Sequence, residues 1–106
     1  MSSWHDAATL DDFAASDAIA VELGGRQIAI YLVRGEVFAT DNVCTHGMAR
    51  LCDGFLEGHE IECPHHQGRF DVRTGQATCA PAKVALATYP ARLDGERVQL
   101  QVEQGA

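Results

Sequence analysis

The sequence predicts an all-β domain, on three observations: apolar and polar residues alternate with period two in several stretches, glycine-containing dipeptides separate those stretches, and helical periodicity is confined to one short segment. In chain order, "ATLDDFAAS" is the helical segment, at most two turns long, with Thr9 as its N-cap. "AIAVELGGRQIAIYLV" then predicts two strands joined through Gly24-Gly25, a dipeptide able to take the positive φ that two-residue hairpin loops require. Within "RQIAIYLVRGEVFATD", Ile28, Ile30 and Leu32 alternate with Gln27, Ala29 and Tyr31, and Arg34-Gly35-Glu36 supplies the next turn. Near the end, "ATYPARLDGERVQLQVE" repeats the scheme with Asp94-Gly95 as its turn. Val98, Leu100 and Val102 fall on one face there, and Arg97, Gln99, Gln101 and Glu103 on the other, as in an antiparallel strand with one wet side. The expected organisation is a single domain: a base of strands from residues 1–43 and 84–106, and an inserted small lobe at residues 44–83 broken into turns by Gly47, Gly54, Gly58, Gly68, Gly75, Pro64 and Pro81.

Bulk composition narrows the function. A chain of 106 residues with 46% hydrophobic and 22% charged residues buries roughly 65% of its extended surface, enough for an ordinary apolar core. No apolar run approaches the ~18 residues of a membrane helix. The acidic start "MSSWHDAATLDD" has no apolar export segment, so the cytoplasm is expected. In a reducing compartment, four cysteines point to metal binding or reactive thiols before a disulfide framework. A net charge of −7 argues against nucleic acid and for a partner with a basic docking face. That charge is uneven. Residues 1–43 hold seven acids against two bases, whereas residues 44–83 hold five against four. Asp11, Asp12, Asp17 and Glu22 most simply solvate a surface.

The stretch "CTHGMARLCDGFLEGHEIECPHHQGRF" carries the chemistry. Cys44-x-His46 is followed, after sixteen residues, by Cys63-x-x-His66, so two short loops each offer one thiolate and one imidazole. One reading is a structural zinc site with two cysteines and two histidines, although zinc fingers usually pair like with like and place histidines on a helix. The other is a two-iron, two-sulfide cluster with both cysteines on one iron and both histidines on the other, each loop straddling the pair. On that reading Gly47 and Gly68 let the backbone approach sulfide closely.

The two motifs at this separation, "CTHG" and "CPHHQGRFD", together with "TGQATCAPA" downstream, resemble the signature of Rieske iron–sulfur proteins, and the similarity extends over the whole chain. Within that family the chain is most similar to the small ferredoxins of naphthalene-type aromatic-ring dioxygenases. The resemblance implies a Rieske fold, an antiparallel β-sandwich base with a small cluster-binding β lobe. It implies one [2Fe-2S] cluster, with Cys44 and Cys63 on the inner iron, His46 and His66 on the outer, and Pro81 in a loop that covers the cluster. It implies a soluble one-electron carrier, monomeric and not catalytic alone, between an NAD(P)H-dependent flavin reductase and a terminal Rieske non-haem iron oxygenase. The sequence carries no dinucleotide fingerprint, and with forty residues after His66 the catalytic iron domain of an oxygenase is not expected.

Neutral imidazoles leave the oxidised cluster without formal charge, against −2 for four thiolates, so an electron adds more easily, and the imidazole-bound iron is the one expected to become ferrous. High-potential members of the family have a disulfide between the two loops and hydroxyls bonded to the sulfurs. Here His65, Gly68 and Phe70 stand at those positions, and a potential near the low end of the Rieske range follows. Two rivals belong to other classes: a small Rieske subunit of an assimilatory nitrite reductase, and a zinc-stapled interaction module.

Other residues have bland expectations. His65 mimics the spacing of the first loop and competes with His66 as ligand. Cys52 and Cys79 fit no ligand position and read as buried small hydrophobes. His5 and His59 read as surface histidines, and Trp4 and Phe13 as packing of the base. Glu57, Glu60 and Glu62 are either a solvated strand face or an attraction for a basic partner, and Gln67 and Arg69 flank a ligand where a partner would touch.

Overall fold

The computed structural model describes residues 3–44, 49–65, 67–80 and 84–102. Among the described residues eleven strands run in chain order: β1 (Trp4–Thr9), β2 (Ala18–Leu23), β3 (Arg26–Val33), β4 (Glu36–Asp41), β5 (Phe55–Glu57), β6 (Glu60–Glu62), β7 (Arg69–Asp71), β8 (Ala77–Cys79), β9 (Thr88–Tyr89), β10 (Ala91–Asp94) and β11 (Arg97–Gln101). They form three antiparallel sheets, ordered β1-β11-β10, β2-β3-β4-β9 and β5-β6-β7-β8. The all-β expectation is met. The only helical elements among the described residues are two 3-10 turns, Leu10–Phe13 and Leu51–Asp53.

The first of these turns lies inside the segment expected to be helical. It starts after Thr9, whose backbone N–H donates to the Asp12 carboxylate at 2.9 Å, and it buries Phe13. One turn suffices to lay that ring under the base. Asp11, Asp12, Asp17 and Glu22 are exposed, as the solvation reading requires.

Both early hairpins close through two-residue loops with positive φ throughout: 61° and 77° at Gly24-Gly25, 52° and 82° at Arg34-Gly35. This is the loop geometry whose twist matches paired strands. The last hairpin turns one residue later than expected. Asp94 still pairs with Arg97, so Gly95-Glu96 is the loop, with φ 62° at Gly95.

The reading of β3 as a strand with one apolar face needs correction. Ile28, Ala29, Ile30 and Tyr31 are all fully buried. Ile28 and Ile30 face a core shared with Phe13, Val37, Val98 and Leu100, which glues the two base sheets together. Ala29, Tyr31 and Val33 face a second core with Leu51, Ile61, Phe70, Val72 and Leu86. Being central in its sheet, β3 is covered on both sides, and the second core lies against the β5–β8 meander. His59 joins those two bodies and is only half-buried. Its ring meets Phe38 of β4 edge-on at 5.5 Å, and its carbonyl accepts the Val72 N–H at 2.8 Å, so it is more than a surface histidine. Trp4 packs at the base edge beneath the Arg92 guanidinium, 4.3 Å from the ring centroid.

Candidate metal centre

Two loops rise from the strand ends, and their necks are built alike. After β4, Asn42 is buried and ties three segments: its N–H donates to the Gln27 carbonyl at 3.0 Å, its carbonyl accepts the Leu51 N–H at 2.7 Å, and its Oδ1 accepts the Cys52 N–H at 2.9 Å. Val43 and Arg50 then pair as an antiparallel bridge, and the Cys44 N–H donates to the Ala49 carbonyl at 2.9 Å. In the second loop Glu62 and Arg69 are the last ladder pair, and the Cys63 N–H donates to the Gly68 carbonyl at 2.8 Å. Each cysteine therefore stands first beyond a ladder, and each closes its loop with a bond to the residue five positions on. Another bond, from the Gln67 N–H to the Cys63 carbonyl at 3.0 Å, tightens the second loop, with Gln67 exposed at a left-handed φ of 62°.

Cys44 and Cys63 are 3% and 0% exposed and share one apolar core, the one behind β3. The two expected thiol ligands thus line the same core. His46 and His66 lie outside the described residues, as do Gly47 and Pro81. His65 is exposed. The donor set fits an iron–sulfur cluster: two thiols set in a dry apolar wall at the necks of matched loops can bind a metal as thiolates whose charge the metal cancels.

Close backbone contacts hold the loops in place, at glycines that no local pattern singles out. A Cβ on Gly54 would stand 2.0 Å from the carbonyl oxygen of Glu62, the residue before Cys63. A Cβ on Gly75 would stand 2.1 Å from the Leu86 carbonyl oxygen, while the Leu86 N–H donates to the Gly75 carbonyl at 2.8 Å. That pair anchors the chain as it returns from residues 81–83 to β9. Such contacts join residues distant in sequence and leave no local pattern.

The charged residues beside the second loop are mutually engaged. The Arg69 guanidinium reaches Glu57 at 3.2 Å, Glu60 at 3.6 Å and Glu62 at 3.0 Å. Hydrogen bonds to Glu62 and then Glu57 push its pKa up. The three glutamates are thus gathered around one cation. Cys79 departs from expectation: it is exposed, at the end of the edge strand β8. Cys52 is half-buried, with Arg50 Nη2 donating to its sulfur at 3.4 Å, and both are free thiols.

Residues 3–90 match the family described as the Rieske [2Fe-2S] domain. The chain belongs to that family. It is 55% identical over 101 residues to the ferredoxin component of the naphthalene 1,2-dioxygenase/salicylate 5-hydroxylase systems of a Ralstonia species, covering 95% of this chain and 97% of that one. Among solved structures it superposes on the Sphingomonas yanoikuyae B1 ferredoxin with a TM-score of 0.87 at 36% identity, covering 95% of this chain and all of the other. It also superposes, with a TM-score of 0.85 at 32% identity, on a chain from the complex of reduced oxygenase and oxidised ferredoxin in carbazole 1,9a-dioxygenase, covering 97% of this chain and 96% of the other. The Rieske fold expected from the resemblance is the fold observed.

Proposed function

We propose that this Rieske protein is a ferredoxin that binds one [2Fe-2S] cluster and carries single electrons from an NAD(P)H-dependent flavin reductase to the terminal oxygenase of an aromatic-ring-hydroxylating dioxygenase system. It catalyses nothing alone. The observation that carries the reading is the pair of matched loops, each opening on a buried cysteine and closed by an identically spaced hydrogen bond, in a chain similar along nearly its full length to named ferredoxin components.

On this reading Cys44 and Cys63 hold the inner iron and His46 and His66 the outer, in a lobe of residues 44–83 on a base of residues 1–43 and 84–106. The cluster, when bound, supplies a one-electron couple. The chain's own residues fix the two thiols and keep water from the apolar side of the site. Thr40 Oγ1 gives its single proton to the Asp41 carbonyl at 2.8 Å, so the buried Tyr31 hydroxyl donates to Thr40 at 3.0 Å. Phe70, fully buried in the same core, and Gly68 bring no hydroxyl. The lack of the hydroxyls that high-potential members carry at these two positions supports a potential near the low end of the roughly −150 to +300 mV range.

No helix among the described residues is long and apolar enough to cross a membrane, and the reading is of a cytoplasmic monomer. Its test is reconstitution. Purified protein mixed with reductase and oxygenase components should give NADH-dependent hydroxylated product, and omitting it should abolish turnover. Product formed equally well without it would overturn the proposal.

A further inference from the structure

The row of residues crossing the third sheet next to the second loop is Phe55, Glu62, Arg69 and Cys79, each paired with the next across β5 to β8. The row below it is Glu57, Glu60 and Asp71. Leu56, Ile61 and Phe70 of these strands pack into the core, so period-two alternation turns Phe55, Glu57, Glu60, Glu62, Arg69 and Asp71 outward, while Cys79 is exposed at the edge, beyond a shift in register between β7 and β8. Phe55 is 66% exposed there, the most exposed of the large apolar side chains among the described residues. Around it stand four carboxylates and two guanidiniums: Arg69 is shared by Glu57, Glu60 and Glu62, and Arg73 is spent on Asp71 at 2.9 Å. The face therefore keeps an excess of negative charge beside an uncovered aromatic ring. Nothing in strand packing calls for that ring, since Leu56 already fills the inward position of β5.

Resting on the ferredoxin reading above, we propose that this outward face, centred on Phe55, is part of the surface that docks the terminal oxygenase, and that the oxygenase meets it with basic side chains around an apolar socket. Charge complementarity and an aromatic anchor are what a transient protein interface of this kind needs. The face is continuous with the loop of Cys63, because Glu62 and Arg69 flank that loop directly. Docking here keeps the loop within the footprint of the complex. The similar carbazole dioxygenase ferredoxin is described in complex with its oxygenase, which favours the electron acceptor over the donor as the occupant.

The test compares wild-type protein with Phe55→Ser and with Glu57→Gln/Glu60→Gln, measuring product formation against ferredoxin concentration. Phe55→Ser should raise the ferredoxin concentration for half-maximal oxygenase rate about 5- to 10-fold, as loss of an exposed aromatic anchor does. Its visible spectrum and its rate of reduction by the reductase should be unchanged, and Phe55→Tyr should restore the wild-type value. The double glutamine variant should flatten the fall of oxygenase rate with added salt. An unchanged half-maximal concentration in Phe55→Ser, or an equal loss with the reductase, would overturn the inference while leaving the carrier role intact. Wild-type protein that supported no turnover would instead remove the carrier role itself.

Discussion

Replacing Gly54 by alanine isolates one contact on which the second loop depends. Its backbone, at φ −86° and ψ −159°, is open to any residue, so the substitution meets no conformational penalty. The cost is one of space. The new Cβ would lie 2.0 Å from the Glu62 carbonyl oxygen and 3.2 Å from that of Leu51, where ordinary contact begins at 3.4 Å. Both obstacles are backbone, and β6 cannot yield without shifting Cys63, the next residue after its last. Overpacking of this kind costs about 2 to 3 kcal/mol, which in a chain of this size lowers the melting midpoint by about 10 to 20 °C. Gly25→Ala is the matched control: its φ of +77° is left-handed but nothing lies within 4 Å, so it should cost only about 1 kcal/mol. Melting followed by circular dichroism at one scan rate, with iron per chain assayed after purification, reads both effects. Gly54→Ala should melt well below Gly25→Ala and retain less iron. A Gly54→Ala midpoint equal to or above that of Gly25→Ala would refute the reasoning.

Further outcomes follow from other groups in the two cores. Asn42→Ala leaves the Cys52 N–H without its acceptor under the first loop and should cost about 1 to 3 kcal/mol, read as a lowered urea midpoint; an unchanged midpoint would show that water replaces the side chain. Burial pushes the Tyr31 phenol well above its ordinary value of 10.0, and burial and then the hydrogen bond to Asp41 raise Tyr89. A raised phenol favours the folded state fully below pH about 10, and that contribution is lost as pH rises beyond it. Alkaline titration at 295 nm should therefore show phenolate appearing late and together with unfolding; ionisation near pH 10 with the fold intact would contradict the assigned burial. Cys44→Ser and Cys63→Ser should each abolish cluster assembly, whereas Cys52→Ser and Cys79→Ser should leave two irons per chain, as metal and sulfide analysis will show.

The hairpins were legible because alternation and two-residue glycine loops are local signals, and β2, β3, β4, β10 and β11 all carry them. The misreading of β3 has a physical cause. Alanine is small and tyrosine amphipathic, so Ala29 and Tyr31 pass for a wet face, and only the third sheet stacked behind them makes that face a core. The one-residue slip at Asp94-Gly95 arose because aspartate suits both a turn and the last pair of a ladder. Spacing singled out Cys44 and Cys63 as candidates, since the two motifs repeat a chelating pattern, and both are buried in one core. Cys79 was misplaced because nothing local shows that it ends a strand at the edge of its sheet. The close approaches at Gly54 and Gly75, and the packing of His59 on Phe38, depend on contacts between distant segments.

The central claim is that two sulfur and two imidazole ligands hold a single two-iron centre that takes one electron at low potential. A redox titration of the purified protein, followed by electron paramagnetic resonance, tests it most directly. The account predicts one unpaired spin per chain on reduction, with a midpoint towards the negative end of the roughly −150 to +300 mV range. A dithionite-treated sample without a paramagnetic signal, or a midpoint well above zero, would contradict it.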